Sequence, residues 1–164
     1  MNKAEILDEI NKTKEHLANM EKMLKESEYE RWKPRHQEQY FSVDTNNKVF
    51  CHYNNKQAVT NESFEVFNCF QTKEQAEAEA EKILVRRQLE DIAKRLNKDE
   101  DFNWLDTHQD KFHIYYAFST GDIKCGHHWR DKIAGVVYCL DENFKDIAIK
   151  EIGEERLLRY LKGE

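Results

Sequence analysis

The chain has 164 residues, 35% charged and 39% apolar, with 26 basic against 32 acidic side chains and a net charge of −6. That is room for one domain or two small ones, and the acidic balance weighs against a nucleic-acid binder with a large basic surface. No apolar run approaches the roughly 18 residues of a membrane span, while nine Phe, seven Tyr and three Trp argue against disorder. The opening Met1-Asn2-Lys3-Ala4-Glu5 lacks the apolar core of a signal peptide. The chain is therefore expected to stay in the cytoplasm where it is made. Its four cysteines are then expected as reduced thiols.

Residues 3–30 hold no Gly or Pro and carry an apolar seam at coiled-coil spacing. With Ile10, Leu17 and Leu24 at heptad position a, position d holds Ile6, Thr13, Met20 and Ser27. Glu9 would face Lys14 of a parallel partner, and His16 would face Glu21. The spacing predicts a helix over 1–31 that pairs two chains through Ile6, Ile10, Leu17, Met20 and Leu24. Pro34 ends it by biasing Lys33 away from the helical region.

The remainder repeats. Trp32-Lys33-Pro34-Arg35-His36-Gln37-Glu38-Gln39-Tyr40 matches Trp104-Leu105-Asp106-Thr107-His108-Gln109-Asp110-Lys111-Phe112 at an offset of 72. Cys51 matches Cys125 at 74, and Cys69 matches Cys139 at 70. The offset changes across loops, where insertions are tolerated. The expectation is α+β: the N-terminal coiled-coil helix, then two tandem ββ(β)α units over 32–97 and 98–164 with antiparallel sheets. First strands are expected at Gln39 to Val43 and Phe112 to Tyr116, and second strands at Lys48 to Tyr53 and Ile123 to Trp129. Third strands are expected at Phe64 to Phe70 and Gly135 to Leu140. Asn46-Asn47 and Thr120-Gly121-Asp122 supply the turns. Thr72 and Gln75 form a capping box that opens a helix running to about Leu96, with Val85, Leu89, Ile92 and Leu96 on one face. Asp141 is expected to cap a helix burying Phe144, Ala148 and Ile152, which Gly153 breaks before a last helix carrying Leu157, Leu158 and Leu161. Trp32 and Trp104 are expected at equivalent sites, each against its own unit's first strand and helix.

Three strings carry a resemblance: Trp32-Lys33-Pro34, then Tyr40-Phe41-Ser42-Val43, then Asn68-Cys69-Phe70-Gln71-Thr72-Lys73-Glu74-Gln75-Ala76-Glu77. Together they resemble a group of small phage and prophage proteins of Gram-positive bacteria, which carry W-x-P, a hairpin, and N-x-F-x-T-K-E-E-A-E opening a helix. The ending from Val137-Tyr138 to Leu157-Leu158 is similar to their C-terminal half. The resemblance implies a lineage and no catalytic residues. It also implies an accessory protein in the host cytoplasm that binds and inhibits a host protein, plausibly of anti-phage immunity such as CRISPR–Cas (an anti-CRISPR).

Few constellations carry chemistry. Cys51 and Cys125, with His127 and His128, supply sulfur and nitrogen ligands of the kind zinc takes. Neither unit holds a C-x-x-C knuckle, and cysteine is among the most buried residue types. Core cysteines are the expectation, with no metal and no other cofactor. Glu74, Glu77 and Glu81 line one helix face and are the candidate partner-binding residues; a solvated face is the plain alternative. No phosphate-cradling loop or nucleophile elbow appears, so no enzyme is expected. Tyr115, Tyr116, Phe118 and Trp129 read as strand aromatics of a half-buried sheet. The alternative function is a small-ligand or nucleotide-signal binder using an aromatic pocket between the units, or a zinc-dependent nucleic-acid-related protein.

Overall fold

The computed structural model describes residues 9–20, 31–55, 58–98, 100–128 and 131–164. The chain divides into two units, Met1–Arg35 and His36–Glu164. In the first, residues 9–20 form helix α1. Its Ile10, Leu17 and Met20 are exposed, and the Thr13 hydroxyl donates to the Glu9 carbonyl (2.8 Å). Ile6 and Leu24 lie outside the described residues, as does Trp129. Trp32 falls in this first unit and Trp104 in the second.

The second unit is α+β with two small antiparallel sheets. The first sheet is the hairpin of β1 (Gln39–Val43) and β2 (Val49–Tyr53), in register Phe41↔Cys51. Its turn is built by Asp44, whose carboxylate accepts from the backbone N–H of Asn46 (2.9 Å) and Lys48 (2.7 Å). Those donors hold the Asp44 carboxyl below its ordinary pKa, the Lys48 N–H most strongly. Asn47 takes the left-handed conformation (φ 61°) that the turn requires.

The expected third strand from Phe64 to Phe70 is absent. Ala58–Glu65 is instead a helix, α2, closed by a Schellman motif in which Asn68 N–H reaches Ser63 O (2.8 Å) and Phe67 N–H reaches Phe64 O (3.2 Å). Phe67 occupies the left-handed position of that motif (φ 59°), where glycine is usual, and stays 75% exposed. After it the chain returns to β1 with a single bridge, Phe70 to Phe41. The Asn68 side chain extends the bridge, accepting from Val43 N–H (2.8 Å) and donating to Val43 C=O (2.7 Å). A side-chain amide thus takes the place of a strand peptide.

Helix α3 (Lys73–Asn97) follows, opened by the expected capping box of Thr72 and Gln75 and closed by Lys98 in the left-handed region. Ala76 and Ala80 of its first turns are buried against Val43, with Phe41, Val49, Phe70 and Ile83 around them. Small side chains there let the hairpin lie close. Arg87 holds the hairpin's turn by donating to Thr45 O (3.2 Å) and Asn47 Oδ1 (3.1 Å).

The second sheet has the order β4-β3-β5, from β3 (Lys111–Ala117), β4 (Asp122–His128) and β5 (Tyr138–Cys139). The third strand is thus two residues long, shorter than the expected Gly135 to Leu140. Asn97, at the end of α3, fixes it: its side-chain oxygen accepts from Leu140 N–H (2.8 Å) and Cys139 Sγ (3.3 Å). Helix α4 (Phe144–Ile152) starts from Asn143, which makes no side-chain cap. Asp141, expected as the cap, lies two residues before Asn143 and accepts from its N–H (2.8 Å). Gly153 (φ 95°) breaks the helix before α5 (Glu154–Lys162).

Val85, Leu89 and Ile92 of α3 form the main core with Ile114, Cys139, Phe144, Ala148, Ile152 and Leu157, and Leu96 packs at its margin. The expectation of four core cysteines is corrected: Cys139 is buried, Cys69 and Cys125 are half-buried, and Cys51 is exposed. Cys51 sits on β2, at the edge of the two-stranded sheet.

Candidate functional site

The three candidate glutamates sit on α3 and share one groove. Spacings of three and four residues keep Glu74, Glu77 and Glu81 on one helix face. They line a concavity of about 310 Å³ with Ala78, Lys82 and Val85 of α3 and with Arg156, Arg159, Tyr160 and Glu164. Two contacts fix its far wall. Arg156 donates to Glu81 (2.6 Å), and Lys82 Nζ donates to Gly163 O (2.7 Å). Glu81 is therefore committed to holding α5 on α3. Glu77 pairs with Lys73 (2.8 Å) in solvent, where screening leaves an ion pair weak. Glu74 lies at the helix N-terminus; its own backbone N–H, then the Thr72 hydroxyl, hold its carboxyl below the ordinary value. Burial pushes the Tyr160 phenol up, so it stays neutral as an apolar wall with a polar tip. The groove offers charge and shape for docking.

The candidate metal ligands do not converge. Cys51 lies in the first sheet and takes a hydrogen bond from Gln39 Nε2 (2.8 Å). Cys125, His127 and His128 lie on β4, where neighbours point to opposite faces. His127 meets the edge of Phe112 (6.3 Å), whereas His128 stacks on His113 (4.7 Å). Burial raises the Cys125 thiol above its ordinary pKa, so it rests as a protonated thiol. Among the described residues no three His, Cys, Asp or Glu side chains are grouped to hold an ion.

Sequence reasoning missed the outer face of the second sheet. Ile114, Ile123 and Cys139 turn toward the helices, so the alternate residues Lys111, His113, Tyr115, Gly126, His128 and Tyr138 share the other face. His113 stacks on His128 and Tyr115 (5.6 Å) and tilts against Tyr138 (5.7 Å). The His113 ring lies across Gly126: a Cβ there would sit 2.7 Å from its Cε1. Burial, then His128, lowers the His113 pKa from 6.5. Its Nδ1 is buried and makes no hydrogen bond among the described residues. Lys111 is fully buried and donates to Asp106 O (3.0 Å) and Gln109 O (2.6 Å), with Trp104 at 5.6 Å. Trp104 meets Phe102 (6.0 Å) and the edge of Tyr138 (5.1 Å). The alternation Lys-Phe-His-Ile-Tyr-Tyr from Lys111 was the available signal.

A second pair joins a nucleophile type to a base type. Ser42 Oγ lies 2.8 Å from His52 Nε2, with His52 stacked on Tyr40 (5.0 Å). Ser42 is only 9% exposed, and the bond satisfies polar groups that the hairpin largely buries.

These features define a small α+β protein with a mixed-charge groove between its long helix and its last one. No protein-family model, curated protein or solved structure matches the chain. Among the described residues no helix is long and apolar enough to cross a membrane.

Proposed function

We propose that this protein is a non-catalytic binding protein that docks a basic surface of a host protein through the α3–α5 groove, as a phage-encoded inhibitor acting in the host cytoplasm. The observation that carries this reading is that Glu74 and Glu77 of α3 and Glu164 beyond α5 line the same groove. Arg156 of α5 and Lys82 of α3 are engaged by Glu81 and by the Gly163 carbonyl, Arg159 lies 3.7 Å from Glu155, and Glu77 meets only the exposed Lys73, which leaves Glu74, Glu77 and Glu164 to meet an incoming cation. A lysine or arginine of the partner fits this concavity as an anchor, and charge complementarity speeds encounter and fixes register. Anti-phage immunity such as CRISPR–Cas is the target class that the resemblance to phage proteins implies.

The exposed seam of α1 supports a homodimer paired through a coiled coil. The common order of a hairpin, a return of the chain to pair with its first strand, and a helix supports a tandem duplication of 32–97 and 98–164. Its members have drifted in register, since Cys51 stands opposite Phe41 but Cys125 opposite Ile114.

The test is phage plating on a bacterial host with active CRISPR–Cas. Expression of the protein is expected to restore plaques, and Glu74→Lys with Glu77→Lys to abolish the effect while the protein stays folded. Plaques that remain suppressed by immunity in the presence of the unaltered protein would sink the inhibitor reading. Restoration that survives both substitutions would move the docking surface elsewhere.

A further inference from the structure

A second concavity, of about 360 Å³, opens between the C-terminal half of α3, residues 100–102 and β5. Its apolar wall is Ala93, Phe102, Val137 and Tyr138, and its rim carries Glu90, Glu100 and Asp101 against the single cation Lys94. We infer that this cavity binds an organic cation: an ammonium group carried on a flat, apolar body.

Four observations carry the inference. The volume lies at the lower end of small-molecule sites, about 300–1,000 Å³, so the occupant is larger than a bare ion. The wall includes two aromatic side chains, Phe102 and Tyr138, a residue type that attracts cations and apolar bodies alike. The Glu100 and Asp101 carboxylates make no hydrogen bond or ion pair among the described residues. Glu90 is held by Arg86 (2.9 Å), and Asn97 is occupied by β5. Finally, the rim is built in advance. Gln109 clamps it with both ends of its amide, donating to Asp101 O (3.1 Å) and accepting from Asn103 N–H (2.7 Å). Glu100 N–H is tied to Asn97 O (2.8 Å), and Phe102 stacks on Trp104. A rim already ordered loses little entropy on binding.

The same charges decide against a nucleotide. With Glu90 paired to Arg86, Glu100 and Asp101 still outnumber Lys94 on the rim, a balance that disfavours phosphate. A metal ion is equally unsuited, because among the described residues no three His, Cys, Asp or Glu side chains are grouped to hold one.

The test is calorimetric titration of the full chain at low salt with 2-phenylethylammonium, and with 3-phenylpropionate, which has nearly the same shape and the opposite charge. The ammonium is expected to bind at least about tenfold tighter, and to shift NMR signals of Phe102, Val137 and Tyr138. Glu100→Gln with Asp101→Asn keeps the volume and removes two charges; it is expected to weaken the ammonium by about tenfold. Equal affinity for the two probes, no binding of the ammonium, or affinity unchanged in that variant would each overturn the inference. Glu74→Lys with Glu77→Lys acts on the other groove and is expected to leave ammonium binding intact, so the two sites fail separately.

Discussion

Gly126 and His113 form one packing unit across the β3–β4 pair. Because a Cβ at Gly126 would meet the His113 ring at 2.7 Å, Gly126→Ala is expected to cost about 1–3 kcal/mol in urea denaturation. Removing the ring relieves the clash, so Gly126→Ala combined with His113→Ala should cost less than the sum of the two; simple additivity would refute the contact. The lowered pKa of His113 also gives stability a direction with pH. The folded form takes this proton less readily than the unfolded chain. Stability is therefore complete above the ordinary value of 6.5 and is lost as pH falls below it. Measured from pH 8 to pH 5, the chain should lose stability relative to His113→Phe; a constant difference between the two would show that His113 carries no such linkage. Asn68 is the third residue of this kind. Replacing it with Ala leaves the Val43 peptide without its partners, an expected cost of about 1–3 kcal/mol by urea denaturation. None of these roles is written locally, since each depends on which backbone lies opposite.

At the scale of elements, legibility followed the range of the interaction that builds each one. Helix α3 was readable because its capping box and its 3.6-residue stripe are local signals, and the outer-face glutamates were readable for the same reason. Strands β1 to β4 were readable from alternation and turn chemistry. The segment before Asn68 was not. Its Phe64-Glu65-Val66-Phe67 run has the aromatic and β-branched content of a strand, but a Schellman closure keeps it helical and the Asn68 side chain supplies the pairing that a strand would have made. The outer face of the second sheet was hidden differently. Tyr138 joins His113 from 25 positions away through a two-residue strand, a length below what periodicity can register. The cavity beside it depends on Gln109, which matches Gln37 in the repeat at an offset of 72 yet has a different setting: Gln37 takes a left-handed turn conformation (φ 63°) on the surface.

For the whole molecule, oligomeric state is the first quantity to measure. Ile10→Asp with Leu17→Asp in the full chain places charges on the α1 seam. Light scattering is expected to give a dimer for the unaltered chain and a monomer for the variant; identical masses would end the coiled-coil reading. Helix α3 has a further consequence, because it serves two cores of unequal strength. Its aliphatic length is buried with Phe144 and Leu157, whereas its first turns hold the β1–β2 hairpin mainly through Ala76 and Ala80. Openings with the fewest apolar contacts are the cheapest, so backbone amides of residues 39–53 are expected to trade protons for deuterons well before those of residues 111–117. Glu74 and Glu77 project from those same turns. A partner seated on them stiffens the helix end that the hairpin leans on, and deuterium uptake in the hairpin becomes a reporter of docking at a surface the hairpin does not touch.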